Sequence, residues 1–471
     1  MRQRPIAAAT VTAACLLSLV TAQNAAQADQ AAPKNASLSD DFNGDGYVDL
    51  AVATPNATVA GHADAGSVVV TYGTAAGIDA TKRTTLTQNT AGFPGAAEAG
   101  DRFGASVTSA DLDGDGYADL IVGSPGEDLN VPSDQGSLGV VWGGPDGLTG
   151  GTAFLEPDRT VGAGFGRGLA TGDFDGDGHQ DMAVLTATQL FVFSGVTRQG
   201  ATSLKEVPGP GGGPAFQGVT VNDAAAGEIN GFPQEDLVVF GTSGATPYTG
   251  YFKGTSNGLV FQRDLAAGPV GDIGGDVNDD GFIDLVVGQP DANQGAGQVE
   301  VWLGDTNGPS NQGVGLVHTQ ASLGIGTNEP GDRFGASVSV GDVNQDGLPD
   351  IAVGAPGEDV GTTADAGSVV LIRSAGPNPP TAQSFHQGTT GVPGTVEAGD
   401  RFGQAVRLYD ANGDGRRDLA VTAPYEDAGN GAVWVLPGTT TGVTATGSRS
   451  YDPVDFGLTF TGNRFGSVLN H

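Results

Sequence analysis

A nine-residue pattern, Asp-x-Asp/Asn-x-Asp-Gly-x-x-Asp, recurs six times intact in this chain, and each copy runs straight into a short aliphatic stretch. The copies occupy residues 41–49, 111–119, 173–181, 276–284, 342–350 and 410–418. A seventh stretch, residues 228–236, keeps the length but puts Phe232 and Pro233 where the fifth-position aspartate and the turn glycine belong. The seven starts recur about every 62 residues, a period at which each unit is one supersecondary element that buries its faces only by packing on its neighbours.

Each unit carries more than the loop. A Phe-Gly run precedes it, as at residues 100–107, 163–170, 331–338 and 399–406. An aliphatic strand ending near Gly-x-Pro follows it, as at 120–128, 285–290 and 351–359, and in weaker form at 419–427. A third run (67–73, 138–144, 189–195, 298–304, 368–374, 432–438) has the alternation and β-branched content of a half-buried strand. A more polar fourth run, such as 83–88 or 315–320, completes a four-stranded unit. Trp142, Trp302 and Trp434 all sit in the third run, where packing between units is expected rather than a platform for sugars.

This order of Phe-Gly strand, acidic loop and Gly-Ala-Pro strand resembles the FG-GAP repeat of integrin α-subunits and of many secreted bacterial proteins. The resemblance implies an all-β fold, a seven-bladed β-propeller of four-stranded antiparallel blades. The chain ends suggest how the ring closes. The first acidic loop has no Phe-Gly strand before it, and residues 462–471 form a Phe-Gly strand with no loop after it. The C-terminal strand is therefore expected to join the N-terminal blade and cover edges that a linear array would expose. Residues 216–281 form a degenerate sector, with Phe216-Gln217-Gly218 and then Val270-Gly271 in place of Phe-Gly.

The loop spacing suits calcium. Oxygen-bearing side chains at positions 1, 3, 5 and 9, with a carbonyl at position 7, supply the oxygen ligands of a hard cation, and glycine at position 6 permits the turn. The candidate ligands of the first loop are Asp41, Asn43, Asp45 and Asp49, with the Tyr47 carbonyl. In the second they are Asp111, Asp113, Asp115 and Asp119 with Tyr117, and in the third Asp173, Asp175, Asp177 and Asp181 with His179. The fourth offers Asp276, Asn278, Asp280 and Asp284 with Phe282, and the fifth Asp342, Asn344, Asp346 and Asp350 with Leu348. The sixth offers Asp410, Asn412, Asp414 and Asp418 with Arg416. An EF-hand would need glutamate at position 12, where all six copies carry valine. About six structural calcium ions are expected, with none in residues 228–236.

Composition narrows the partners. Lys and Arg total 20 against 54 Asp and Glu; without Arg2 and Arg4 the balance is 18 against 54, a charge of −36. That excess argues against nucleic acid or an anionic membrane surface. Arg2 and Arg4, an apolar run over residues 6–20 and Ala26-Gln27-Ala28 read as a secretory signal cleaved after Ala28, with a short segment 29–37 and the propeller over 38–471. The sole cysteine, Cys15, lies in the signal and lacks the leucine of a lipoprotein signal, so no disulfide and no lipid anchor are expected. No stretch is long and apolar enough to span a bilayer as a helix. The reading is of a secreted, monomeric protein.

Calcium loops on one face leave the other for a partner, an extracellular protein or glycan. Glu127, Asp128, Glu358, Asp359, Glu426 and Asp427 would form part of an acidic rim there, and Arg102, Arg333, Arg401 and Arg464, each just before Phe-Gly, are expected in internal ion pairs. The five histidines lie apart from any nucleophile elbow or zinc spacing, so no catalytic constellation is recognised. An adhesion or protein-binding module is the first reading. A carbohydrate-binding propeller and a hydrolase with an unrecognised carboxylate pair are the alternatives.

Overall fold

A computed structural model of the chain describes residues 39–93, 95–129, 134–310, 316–374, 376, 378–458 and 462–470. The expected signal (1–28) and the segment 29–37 lie outside the described residues.

Seven four-stranded antiparallel sheets follow one another along the chain. Blade 2 shows the pattern: Ser106–Ala110 innermost, then Asp119–Ser124, Ser137–Trp142 and Thr149–Leu155. Blades 3 to 7 begin at Gly168–Gly172, Thr220–Gly227, Val270–Gly275, Ser337–Gly341 and Val406–Tyr409. Blade 1 takes Leu50–Thr54, Ser67–Thr71 and Arg83–Leu86 from the N-terminal end and its innermost strand, Val468–Leu469, from the C-terminal end. Val52 faces Leu469 and Ala53 faces Val468 across that junction, so the ring closes as the chain ends suggested.

The third strands differ from the sequence expectation. Ser67–Thr71 and Ala432–Leu436 are buried on every residue, not on alternate ones. Blades stack face against face, so most middle strands are covered on both sides; Gln298–Trp302 of blade 5 keeps the alternation, and outermost strands such as Arg83–Leu86 are partly open to solvent. The core is accordingly a ring of clusters between blades. One of them joins Leu138, Val140, Trp142 and Phe154 of blade 2 to Leu169, Met182, Val184 and Phe191 of blade 3.

The Phe-Gly and Gly-x-Pro motifs form these seams. Phe103, Phe165, Phe216, Phe334, Phe402 and Phe465 are all fully buried, each side chain stabilising the fold by about 1.5–3 kcal/mol. Phe103, Phe165, Phe334 and Phe402 bridge to Gly66, Gly136, Gly297 and Gly367, which open the third strand of the preceding blade. Gly66 has φ +89°, and a Cβ there would fall 2.1 Å from the Phe103 carbonyl oxygen. Gly354 of the Gly-Ala-Pro strand meets the next blade's Phe-Gly glycine in the same way, its Cβ position lying 2.0 Å from the Gly403 oxygen.

Both ends of the described chain meet in a buried polar knot. The Arg407 guanidinium, on the innermost strand of blade 7, pairs with Asp40 and donates to Asn470 Oδ1 at 2.8 Å and to the Asp49 carbonyl at 3.3 Å. Asn470 Nδ2 donates to Asp40 Oδ1 at 2.6 Å, and the Ser109 hydroxyl donates to the same oxygen.

Candidate metal centre

The acidic loops join the first and second strands of blades 2, 3, 5, 6 and 7, and in blade 1 the loop leads into the second strand, Leu50–Thr54; all six share one internal hydrogen-bond scheme. The first-position carboxylate gathers the loop: Asp41 Oδ1 accepts from the Asp45 N–H at 3.1 Å and Oδ2 from the Gly46 N–H at 2.9 Å. Asp111, Asp173, Asp276 and Asp410 accept from the equivalent pairs, and Asp342 Oδ2 from Gly347. The fifth-position carboxylates of Asp45, Asp115, Asp177, Asp280, Asp346 and Asp414 accept from the N–H of Tyr47, Tyr117, His179, Phe282, Leu348 and Arg416. The N–H of each seventh residue is thus engaged within its loop. Position 6 is glycine with φ between 84° and 93° in all six loops.

The ninth-position aspartate does a job the spacing did not reveal. Asp49 Oδ2 accepts from the Phe42 N–H at 2.9 Å and Oδ1 from the Gly73 N–H at 2.8 Å, tying the loop's start to the end of the third strand. Asp119, Asp284 and Asp350 repeat both bonds, and Asp418 accepts from Gly438 at 2.8 Å. Burial drives these carboxyls upward against the pull of their N–H donors. Asp119 and Asp350 reach about 7, and Asp181, Asp284 and Asp418 about 6. Asp49 rises well above the usual range from the same cause, and Asp41 and Asp111 are raised.

Among the described residues, two groups of aspartates stand close enough to hold a metal ion. Asp111, Asp113 and Asp115, and likewise Asp173, Asp175 and Asp177, each offer oxygens within 4.8 Å of one another. The first group contains Asp113 Oδ1, a buried oxygen with no hydrogen-bond partner, which fits a cation. Asp119 and Asp181 are not part of these groups. In loops 1, 4, 5 and 6 position 3 is the amide of Asn43, Asn278, Asn344 or Asn412. The Oδ1 of each caps the Asp two residues on at 2.8–3.1 Å, so these loops bring two carboxylates and an amide to the same turn.

Arg198, on the turn between the third and fourth strands of blade 3, had no signal in the sequence. Its Nε lies 3.0 Å from Asp113 and its Nη2 3.0 Å from Asp115, while the guanidinium stacks 5.4 Å over Trp142. It brings a fixed positive charge to the second loop. In residues 228–236 the Asn230 amide donates to both oxygens of Asp236 at 2.7 and 2.5 Å and Tyr251 adds a third bond at 3.0 Å, while Glu235 accepts from the Asp173 N–H of the third loop at 2.9 Å. Phe232 is 46% exposed under the Lys253 ammonium, 4.3 Å from its ring.

The Gly-x-Pro loops and the links from one blade to the next meet on the other face, where Gln88 reaches Glu127. The arginines before Phe-Gly depart from the expected ion pairs. Among the described residues only Arg333 forms one, at 3.7 Å to Asp291. Arg401 and Arg464 instead flank Tyr425 at 4.7 and 4.8 Å. All four hold φ between 57° and 60°, and Arg102, Arg333, Arg401 and Arg464 are exposed.

The FG-GAP repeat model matches residues 35–71, 103–142, 165–204, 334–372 and 402–436. The chain carries FG-GAP repeats. The matched segments fall in blades 1, 2, 3, 6 and 7, leaving blades 4 and 5, the sector with degenerate Phe-Gly strands, between them. Mouse phosphatidylinositol-glycan-specific phospholipase D is 33% identical over 161 residues, 33% of this chain and 18% of that protein. Integrin alpha-PS5 of Drosophila melanogaster is 36% identical over 123 residues, 26% and 11% of the two chains. Integrin alpha pat-2 of Caenorhabditis elegans is 31% identical over 211 residues, 40% and 16%. The matches thus span less than a fifth of each of these relatives. Among the described residues no helix is long and apolar enough to cross a membrane.

Proposed function

We propose that the protein is a secreted extracellular binding module, an integrin-like propeller that carries calcium in its six intact loops. In this reading the partner is a protein or a glycan and docks on the opposite face. The observation that carries it is the division of labour between the faces. One collects the acidic loops, each with its N–H groups turned onto its own carboxylates; the other collects the longer loops, with exposed arginines and carboxylates interleaved around Tyr425. The repeats are similar to those of integrin α-subunits, and the recognised motifs are those of the scaffold. Calcium is structural in this account. The loops would hold it through the side-chain oxygens gathered at positions 1, 3 and 5, screening carboxylates that otherwise repel one another.

The experiment is a binding screen of the purified protein, with calcium and with chelator, against a glycan array and a panel of extracellular matrix proteins. Binding should be lost when Arg401 and Arg464 are changed to Ala and kept when Arg198 is changed. A chain that binds nothing on either panel but hydrolyses a phospholipid or glycan substrate would overturn the proposal.

A further inference from the structure

A second set of oxygen clusters lies on the face away from the acidic loops, at three seams between blades. Gln88, from the end of blade 1, donates its Nε2 to Glu127 of blade 2. Gln320 does the same to Glu358 across the seam between blades 5 and 6, and Gln387 to Glu426 across the seam between blades 6 and 7. An aspartate from the Phe-Gly segment completes each set: Asp101, Asp332 and Asp400, all at most 3% exposed. Asp400 and Glu426 are hydrogen-bonded to each other. Backbone contact fixes two of the sets, since a Cβ on Gly126 or Gly357 would fall 1.9 Å from the Gly100 or Gly331 oxygen.

The three residues occur together or not at all where the loops correspond. At the seam between blades 7 and 1 their places are taken by Pro453, Asn463 and Ala57, and blade 5 has Ala292 in the glutamate position and Gly268 in the aspartate position. The trio therefore acts as a unit. Each trio also leaves one atom without a partner. Gln88, Gln320 and Gln387 are at most 4% exposed, and the Oε1 of every one is buried with no hydrogen bond. Each amide oxygen is buried without a donor while its nitrogen is held by the glutamate, and, His62 near Asp101 apart, no cationic side chain answers these carboxylates: no lysine or arginine forms an ion pair with any of them among the described residues.

Two species could answer that lack. A proton shared by the aspartate and glutamate relieves their repulsion but gives nothing to the amide oxygen. Turning the amide over sets its oxygen against the glutamate and again calls for something positive between them. A cation satisfies all three groups at once. We propose that each of these three seams binds a hard divalent cation, calcium by its preference for flexible all-oxygen sites, through the glutamine amide oxygen, the aspartate and the glutamate. These sites are separate from the nine-residue loops, and each would pin one blade to the next on the partner face.

The test is calcium bound per chain, measured by elemental analysis after equilibrium dialysis at saturating calcium. The triple variant Glu127→Gln, Glu358→Gln, Glu426→Gln should bind three fewer ions than the wild type. The triple variant Gln88→Met, Gln320→Met, Gln387→Met, which keeps the carboxylates and the volume, should weaken the same three sites at least tenfold. Where a triple variant fails to fold, each single glutamate variant should lose one ion. Equal counts in the wild type and the glutamate variants, with only proton release on titration, overturn the proposal. Asp111→Asn and Asp113→Asn, made separately, report on the second loop. Failure of the loop reading thus lowers the total but leaves the three-ion difference intact.

Discussion

The knot of Asp40, Arg407 and Asn470 should be the point at which ring closure is most sensitive to a single change. Arg407 is 6% exposed, Asp40 3% and Asn470 fully buried. Arg407→Met keeps much of the side-chain length but leaves the Asp40 carboxylate buried with only Ser109 and Asn470 as donors, and frees the Asn470 oxygen and the Asp49 carbonyl from the guanidinium. Breaking a buried pair from one side costs about 3–5 kcal/mol. An unfolding entropy of about 2.1 cal/mol/K per residue over roughly 430 residues turns this into a fall in Tm of about 3–6 °C. Adding Asp40→Asn removes the stranded charge, so the double variant should be more stable than the sum of the single effects by about 1–3 kcal/mol. Calorimetry on wild type, both single variants and the double completes the cycle. An Arg407→Met protein melting within 1 °C of wild type, or strictly additive changes, would refute the idea that this knot holds the ends together.

Gly354→Ala should destabilise the seam between blades 6 and 7 by at least about 2 kcal/mol, since its Cβ would lie 2.0 Å from a backbone oxygen; denaturant unfolding reads this, and a neutral result contradicts the seam packing. Arg198→Ala removes a cation from Asp113 and Asp115, so it should tighten calcium at the second loop while lowering the calcium-free Tm, measured by titration calorimetry and melting. The pH response follows from the raised carboxyls. Asp119 and Asp350 near 7 and Asp181, Asp284 and Asp418 near 6 sit above their unfolded values of about 4. Their contribution is therefore fully present below pH 4 and lost as pH rises through 6 to 7. In chelator, Tm should fall between pH 5 and pH 8, and added calcium should recover most of it at pH 8; a chelated protein more stable at pH 8 contradicts this.

Much of the molecule is written locally in the chain, and what is not comes from pairs far apart in sequence. The acidic loops, the Phe-Gly strands and the closing C-terminal strand repeat at fixed spacing, so seven blades could be read from their order. The third strands read as half-buried because alternation is a property of one sheet, whereas Val68, Val69 and Val70 are all covered once blades stack. Arg198 meets Asp113 across 85 residues and Asn470 meets Asp40 across 430, and neither carries a local motif. Position 4 of the loops is also left-handed, even where it is Asp279 or Gln345 at φ 62°, a demand the two non-glycine copies conceal. The glutamines of the seam clusters stood in plain view at the ends of the fourth strands. Only the fold, by bringing each against a glutamate of the next blade, gave them a role.

Thermal unfolding of the calcium-loaded protein against the same protein in excess chelator tests the central claim most directly. At free calcium 100-fold above Kd each loop contributes about 2.7 kcal/mol, so the six loops alone give about 16 kcal/mol and raise Tm by roughly 15–20 °C at pH 7.5, to which the three seam sites would add. A chelated protein that melts at the same temperature as the loaded one would contradict calcium as the element that holds the six loops.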